Sequence, residues 1–130
     1  MIVDITNQVL TDIKRKLNNI TVLSSYQSTI NEFPVVIVEE SDNSTNLETK
    51  DSSGFTHVNI GFRIEIYTKG NRRMSEAKSI RNKVDEVMSG EYNMSRDTPT
   101  VIPNYLDNSI YRYRLNYTGI IDGNEKIYRG

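Results

Sequence analysis

The 130-residue sequence contains no cysteine, no tryptophan and only one histidine, with three prolines and seven glycines. Without cysteine there can be no disulfide framework, thiolate zinc site, iron–sulfur cluster or cysteine nucleophile. The lone His57 limits any Ser-His-Asp or two-histidine metal arrangement to a single site, and no G-x-S-x-G elbow accompanies it. The glycines form neither a Walker loop nor a dinucleotide fingerprint. No run approaches the roughly 20 apolar residues of a membrane span. The first residues, MIVDITNQVLTDIKRKLNN, turn acidic and polar at once, so neither a membrane partner nor a secretory signal is expected, and synthesis in the cytoplasm is. An excess of charge is also missing. Sixteen Lys and Arg stand against seventeen Asp and Glu, for a net charge of -1, which argues against a dedicated nucleic-acid binder resting on phosphate neutralisation.

What is present points to strands. Val and Ile total 25 residues against 7 for Leu and Ala, and β-branched side chains suit a pleated surface. The hydrophobic fraction, 36%, is low for one globular domain spanning residues 1–130. A lean core fits either long solvated loops or a subunit that completes its burial against neighbours.

Periodicity supplies the elements. Ile2, Ile5, Val9, Ile13, Leu17 and Ile20 recur at steps of three or four and mark a helix, with Asp4 or Thr6 at its start and Lys14, Arg15 and Lys16 near its end. Thr21 to Tyr26 reads as a short strand. Val35 to Val38, after Pro34, form an apolar run that needs cover on both faces, or on one face plus a subunit contact. Ser41 to Phe55 is polar and rich in turn formers, so a long loop is expected over 41–55. From His57 the alternation is clean: Val58, Ile60, Phe62, Ile64 and Ile66 should face a core, and His57, Asn59, Arg63, Glu65 and Tyr67 the other side. Met74, Ala77, Ile80, Val84 and Val87 predict a second helix ending before Gly90. An irregular strand broken by Pro99 follows over 94–101. Ser109 to Ile121 then places Tyr111, Tyr113, Leu115, Tyr117 and Ile121 on one face, with Arg112, Arg114, Asn116 and Thr118 on the other. Asp122-Gly123 signals a hairpin returning through Lys126-Ile127-Tyr128. The expected fold class is α+β, a single mostly antiparallel sheet with two helices packed on one face.

Chemistry-bearing clusters are few. Glu39, Glu40 and Asp42, with Glu48 and Asp51, are the acidic cluster, but EF-hand spacing is absent and no metal is expected. No cofactor and no catalytic group is expected, so the chain does not read as an enzyme. A sheet exposing Arg112, Arg114 and aromatic side chains has the outline of an RNA-recognition surface, yet the RNP1 pattern is missing and the tyrosines alternate as a packed face would.

The ordered signals resemble the tail terminator, or tail completion, family of long-tailed bacteriophages. The residues that carry the likeness are Phe33-Pro34-Val35-Val36-Ile37-Val38-Glu39-Glu40, the segment Glu48-Thr49-Lys50-Asp51-Ser52-Ser53-Gly54, and His57 to Tyr67. The helix Ala77 to Met88, Ile102-Pro103-Asn104 and Ser109-Ile110-Tyr111-Arg112-Tyr113 complete it, so the likeness covers nearly the whole chain. What the resemblance implies is a virion protein forming a ring, usually of six copies, at the head-proximal end of the tail tube. Its partners would be itself, the major tail tube protein and a head-completion or connector protein, with DNA only as passing cargo. Candidate subunit or tube contacts are Glu48, Lys50, Asp51 and Phe55; candidate channel or connector contacts are Arg72, Arg73, Arg112 and Arg114. Another head–tail joining subunit, or the matching ring of a contractile tail, is the alternative, with a small RNA-binding domain behind both.

Overall fold

A long strand from His57 to Lys69 is the spine of the molecule, because it is apolar on one face along its whole length and can take a partner on each edge. The computed structural model describes residues 4–25, 32–46, 57–103, 107–122 and 127–129. In chain order these form α1 (Thr6–Lys16), β1 (Thr21–Leu23), β2 (Val35–Asn46), β3 (His57–Lys69) and α2 (Arg73–Asp85). A π-helical turn (Glu86–Glu91), β4 (Ser95–Arg96), β5 (Thr100–Ile102), β6 (Ile110–Ile121) and β7 (Ile127–Arg129) follow. The fold is α+β: one seven-stranded sheet, with β1-β2-β3-β6 as consecutive neighbours and β4, β5 and β7 sharing the far edge of β6. Among the described strands only β1 and β2 pair in parallel.

Both helices lie on one face. Ile5, Val9, Ile13 and Leu17 of the α1 stripe and Ala77, Ile80 and Val84 of α2 pack with Val36, Val38, Ile60, Phe62, Ile64, Ile66, Leu115 and Tyr117 in the main core. The Asp4 carboxylate accepts the Thr6 backbone N–H at 2.9 Å, which satisfies one orphan donor at the start of α1. Between β3 and α2 the chain turns at Gly70, whose φ of 103° is a conformation open to glycine at little cost. The second helix does not stop before Gly90, as its periodicity predicts. It widens into the π turn, with the Tyr92 N–H bonded to the Val87 carbonyl, and this lets the adjacent Val87 and Met88 both reach the core.

Two expectations are corrected. Residues Ser41 to Asn46 are not loop: β2 continues through them, paired with β3 as far as Asn46 opposite His57. Their polarity reflects an outer strand with exposed side chains, and a bulge between Glu40 and Asp42 breaks the alternation that would have marked them as strand. Gly61 permits that bulge, since a Cβ there would stand 2.8 Å from Ser41 Oγ and 3.2 Å from Asp42 Cβ. Nor is the second face of β3 left to water. Glu65 and Tyr67 are buried, and Tyr67 joins Val35 and Ile37 in a smaller cluster beneath Leu23, Phe33 and Ile110. The apolar run of β2 is thus covered on both faces, Val36 and Val38 by the main core and Val35 and Ile37 by this cluster.

Candidate interaction face

Strand alternation sends Arg63, Glu65 and Tyr67 of β3 and Arg112 and Arg114 of β6 to the face away from the helices. Register decides who meets whom: Glu65 lies opposite Arg114, and Tyr67 opposite Arg112. Opposed and diagonal side chains on one sheet face are within reach of each other, and the other three converge on the Glu65 carboxylate. Arg112 donates from Nε to Oε2 at 3.0 Å and from Nη2 to Oε1 at 2.7 Å. Arg114 donates from Nε and Nη2 to Oε1 at 2.9 and 2.6 Å. The Tyr67 hydroxyl donates to Oε2 at 2.8 Å, and the Arg112 guanidinium lies 5.5 Å from the Tyr67 ring centre. Two residues along β3, Arg63 and Glu39 form a second cross-strand pair at 3.0 Å.

Glu65 is 6% exposed. Burial pushes its carboxyl up, but the hydrogen bonds from Arg112, Arg114 and Tyr67 and the Arg112 charge outweigh burial and hold it at about 2. The group is ionised at neutral pH, with its lone pairs taken by five donors, so it has no capacity left as a general base. Two guanidiniums over one carboxylate leave one net positive charge. Their side chains are 28% and 29% exposed, so this charge is oriented by the protein yet reaches solvent. Such a fixed fork of N–H donors suits a carboxylate or phosphate.

The other expected site residues fall elsewhere. Glu48, Lys50, Asp51 and Phe55 lie outside the described residues. Arg72 and Arg73 sit where β3 turns into α2, on the connection to the helix-covered face. The Arg72 carbonyl accepts Ser75 Oγ and the Glu76 N–H, and Arg73 Nη1 donates to the Gly70 carbonyl at 3.1 Å. They therefore do not join Arg112 and Arg114, which face the opposite side. Arg112 and Arg114 themselves are not simply solvated charge, since each is bound to Glu65. His57 is half-buried at the start of β3. Glu39 and Glu40 diverge: Glu39 pairs with Arg63, while the Glu40 carboxylate accepts from Thr6 Oγ1 and Asn43 Nδ2. Among the described residues no three His, Asp or Glu side chains converge as a metal site would need. Tyr113 and Tyr117 are buried on the helix side, with Tyr111 stacked on Tyr113 at 5.9 Å, so β6 offers no aromatic platform on its open face for stacked bases.

Periodicity did not disclose two phenol–carboxylate pairs under the helices. Tyr117 donates to Asp85 Oδ1 at 2.8 Å, an atom that also takes Ser89 Oγ and lies 3.3 Å from Arg96 Nη1. Tyr92 donates to Asp12, which also holds Arg15. Burial, then the adjoining carboxylate, raises the pKa of both phenols, so each stays protonated and serves as a donor.

No helix among the described residues is long and apolar enough to cross a membrane. No protein-family model matches the chain, and no curated protein matches it.

Proposed function

We propose that this chain is a structural subunit of a long-tailed bacteriophage, a tail terminator whose ring caps the tail tube, halts its polymerisation and offers an interface to the head-side connector. The observation that carries this reading is the distal half of the β2–β3 hairpin. From Glu40 to Thr45 the strand is almost wholly exposed, and the only described strand on the outer edge of β2 is β1, which stops at Ile37. Its end leads into residues 47–56, where Glu48, Lys50, Asp51 and Phe55 stand in sequence. A polar edge of this kind, not covered by another described strand, is suited to a neighbouring subunit or a tube end, with charge setting register and specificity more than raw affinity. Glu65, Tyr92 and Tyr117 are each held in one protonation state by their surroundings, which fits a role made of surfaces better than one made of proton transfers. The lean core of the sequence fits a subunit stabilised by its neighbours.

The test has two stages. Mass photometry and stained images of the purified protein should show a ring, about 90 kDa for six copies of 15.0 kDa. Added to polymerising tail tube protein, it should then fix tube length. Tubes that grow past it unchanged would sink the reading, whatever its mass. Replacing Glu48 and Asp51 by Lys should leave the fold intact and impair ring formation; unaltered assembly would take that segment out of the interface.

A further inference from the structure

Two adjoining hollows open on the helix side of the sheet, where the π turn passes α1. One, of about 210 Å³, has an apolar floor of Ile5, Ile121 and Ile127 and a polar rim of Gln8, Glu91 and Asn93. The other, of about 380 Å³, is bounded by Asn7, Thr11, Asp12 and Arg15. Gln8 and Tyr92 line both, so Tyr92 stands between them. Helical spacing builds the α1 wall: Gln8, Asp12 and Arg15 recur at steps of four and three, beside the buried stripe of Ile5, Val9 and Ile13. Tyr92 is held by its hydroxyl on Asp12 and by its N–H on the Val87 carbonyl at 3.0 Å, and Asn93 Nδ2 donates to the Ile127 carbonyl at 3.1 Å. Walls from α1, the π turn and β7 are therefore tied in place before any ligand arrives. The larger volume falls within the roughly 300–1,000 Å³ of ordinary small-molecule sites, and the smaller lies just under it.

We infer that this double cleft binds a short neutral saccharide, a function that goes beyond the proposed ring and does not depend on it. The lining decides the class of ligand. Asp12 and Arg15 form a pair at 2.7 Å, so an anion would meet a guanidinium that already has its counter-charge. A metal cation would find Glu91 and the paired Asp12 as the only carboxylates, too few for a hard-cation site. The side-chain amides of Asn7, Gln8 and Asn93 each carry donors and an acceptor, and the Thr11 hydroxyl does both. Sugar hydroxyls likewise donate and accept, so they can meet such groups in either sense. The C–H faces of a sugar ring match the Tyr92 ring and the isoleucine floor, where apolar surface leaves water. An extended peptide also donates and accepts, but it pairs best along a strand edge, which α1 and the π turn do not provide.

The experiment titrates the whole protein with glucose, galactose, N-acetylglucosamine and maltose, read by saturation-transfer NMR on the sugar protons, which works for a monomer or a ring. At least one sugar should bind saturably with a dissociation constant of about 1 mM or tighter. Gln8 is exposed and lines both hollows, so Gln8→Ala should keep the fold, as circular dichroism verifies, and weaken binding at least about tenfold. Lys78→Ala, on the exposed side of α2, should bind like wild type. No saturable binding of any of the four sugars, unchanged binding in Gln8→Ala, or an equal loss in Lys78→Ala would overturn the inference. So would a tetraglycine peptide that binds with the same dependence on Gln8 while the sugars do not, which would give the cleft to a polypeptide. Tube arrest without sugar binding defeats this inference alone, and sugar binding without tube arrest defeats the terminator reading alone.

Discussion

Glu65→Gln probes the buried ion cluster of the open face. The folded carboxyl sits at about 2 against 4.5 for the free side chain. At about 1.4 kcal/mol per pH unit the difference corresponds to about 3 kcal/mol, and because both guanidiniums are partly in water and screened, about 1–2 kcal/mol of it should survive. The glutamine also leaves two cations side by side without a counter-charge, so a total loss of about 2 kcal/mol is expected at neutral pH. Because the folded group binds its proton less readily than the unfolded one, its contribution is complete above pH 4.5 and disappears as pH falls towards about 2. Urea unfolding followed by circular dichroism, on wild type and variant in steps from neutral pH down to about pH 3, reads both effects. The gap between the two proteins should narrow as the wild-type carboxylate becomes protonated. A gap that is constant with pH, or below about 0.3 kcal/mol at neutral pH, would refute the view that charge pairing at Glu65 holds this face together.

Three further substitutions test the sheet. Ile64 is wholly buried between β3 and the helices, so Ile64→Asp should abolish cooperative folding through a loss of about 4 kcal/mol or more, and a soluble, folded protein would show the strand faces to be reversed. Gly61→Ala should cost about 1–3 kcal/mol in urea titrations because its methyl meets Ser41 Oγ and Asp42 Cβ; adding Ser41→Gly should recover part of the loss, and no recovery would mean the bulge is not the obstacle. Tyr117→Phe removes a donor from Asp85 in a buried position and should cost about 1 kcal/mol, and an unchanged midpoint would mean that Ser89 and Arg96 already satisfy the carboxylate.

Local pattern determined much of this molecule. The period-3.6 stripe from Ile5 to Leu17 and the period-2 run from Val58 to Ile66 are enough to specify a helix and a strand with one face each in a core, because burial of an amphipathic face depends only on spacing along the chain. Pro99 likewise divides its strand into β4 and β5. Pairing partners are another matter. Nothing local distinguishes Ser41 to Asn46 from a loop; they are strand because β3 supplies their hydrogen bonds, and the bulge that disguises them exists only against Gly61. The same holds for the interaction face. Arg112 and Arg114 are visible in sequence as two charges on the polar side of a strand, but Glu65 is 47 residues from the first and 49 from the second. Only the register of β3 against β6 brings the carboxylate beneath both guanidiniums and turns solvated charges into an oriented one. Sequence alone determined which side chains prefer burial, since that is a property of each residue and its near neighbours. The tertiary structure decided which charges are paired and on which face each pair lies, since those depend on contacts between distant strands.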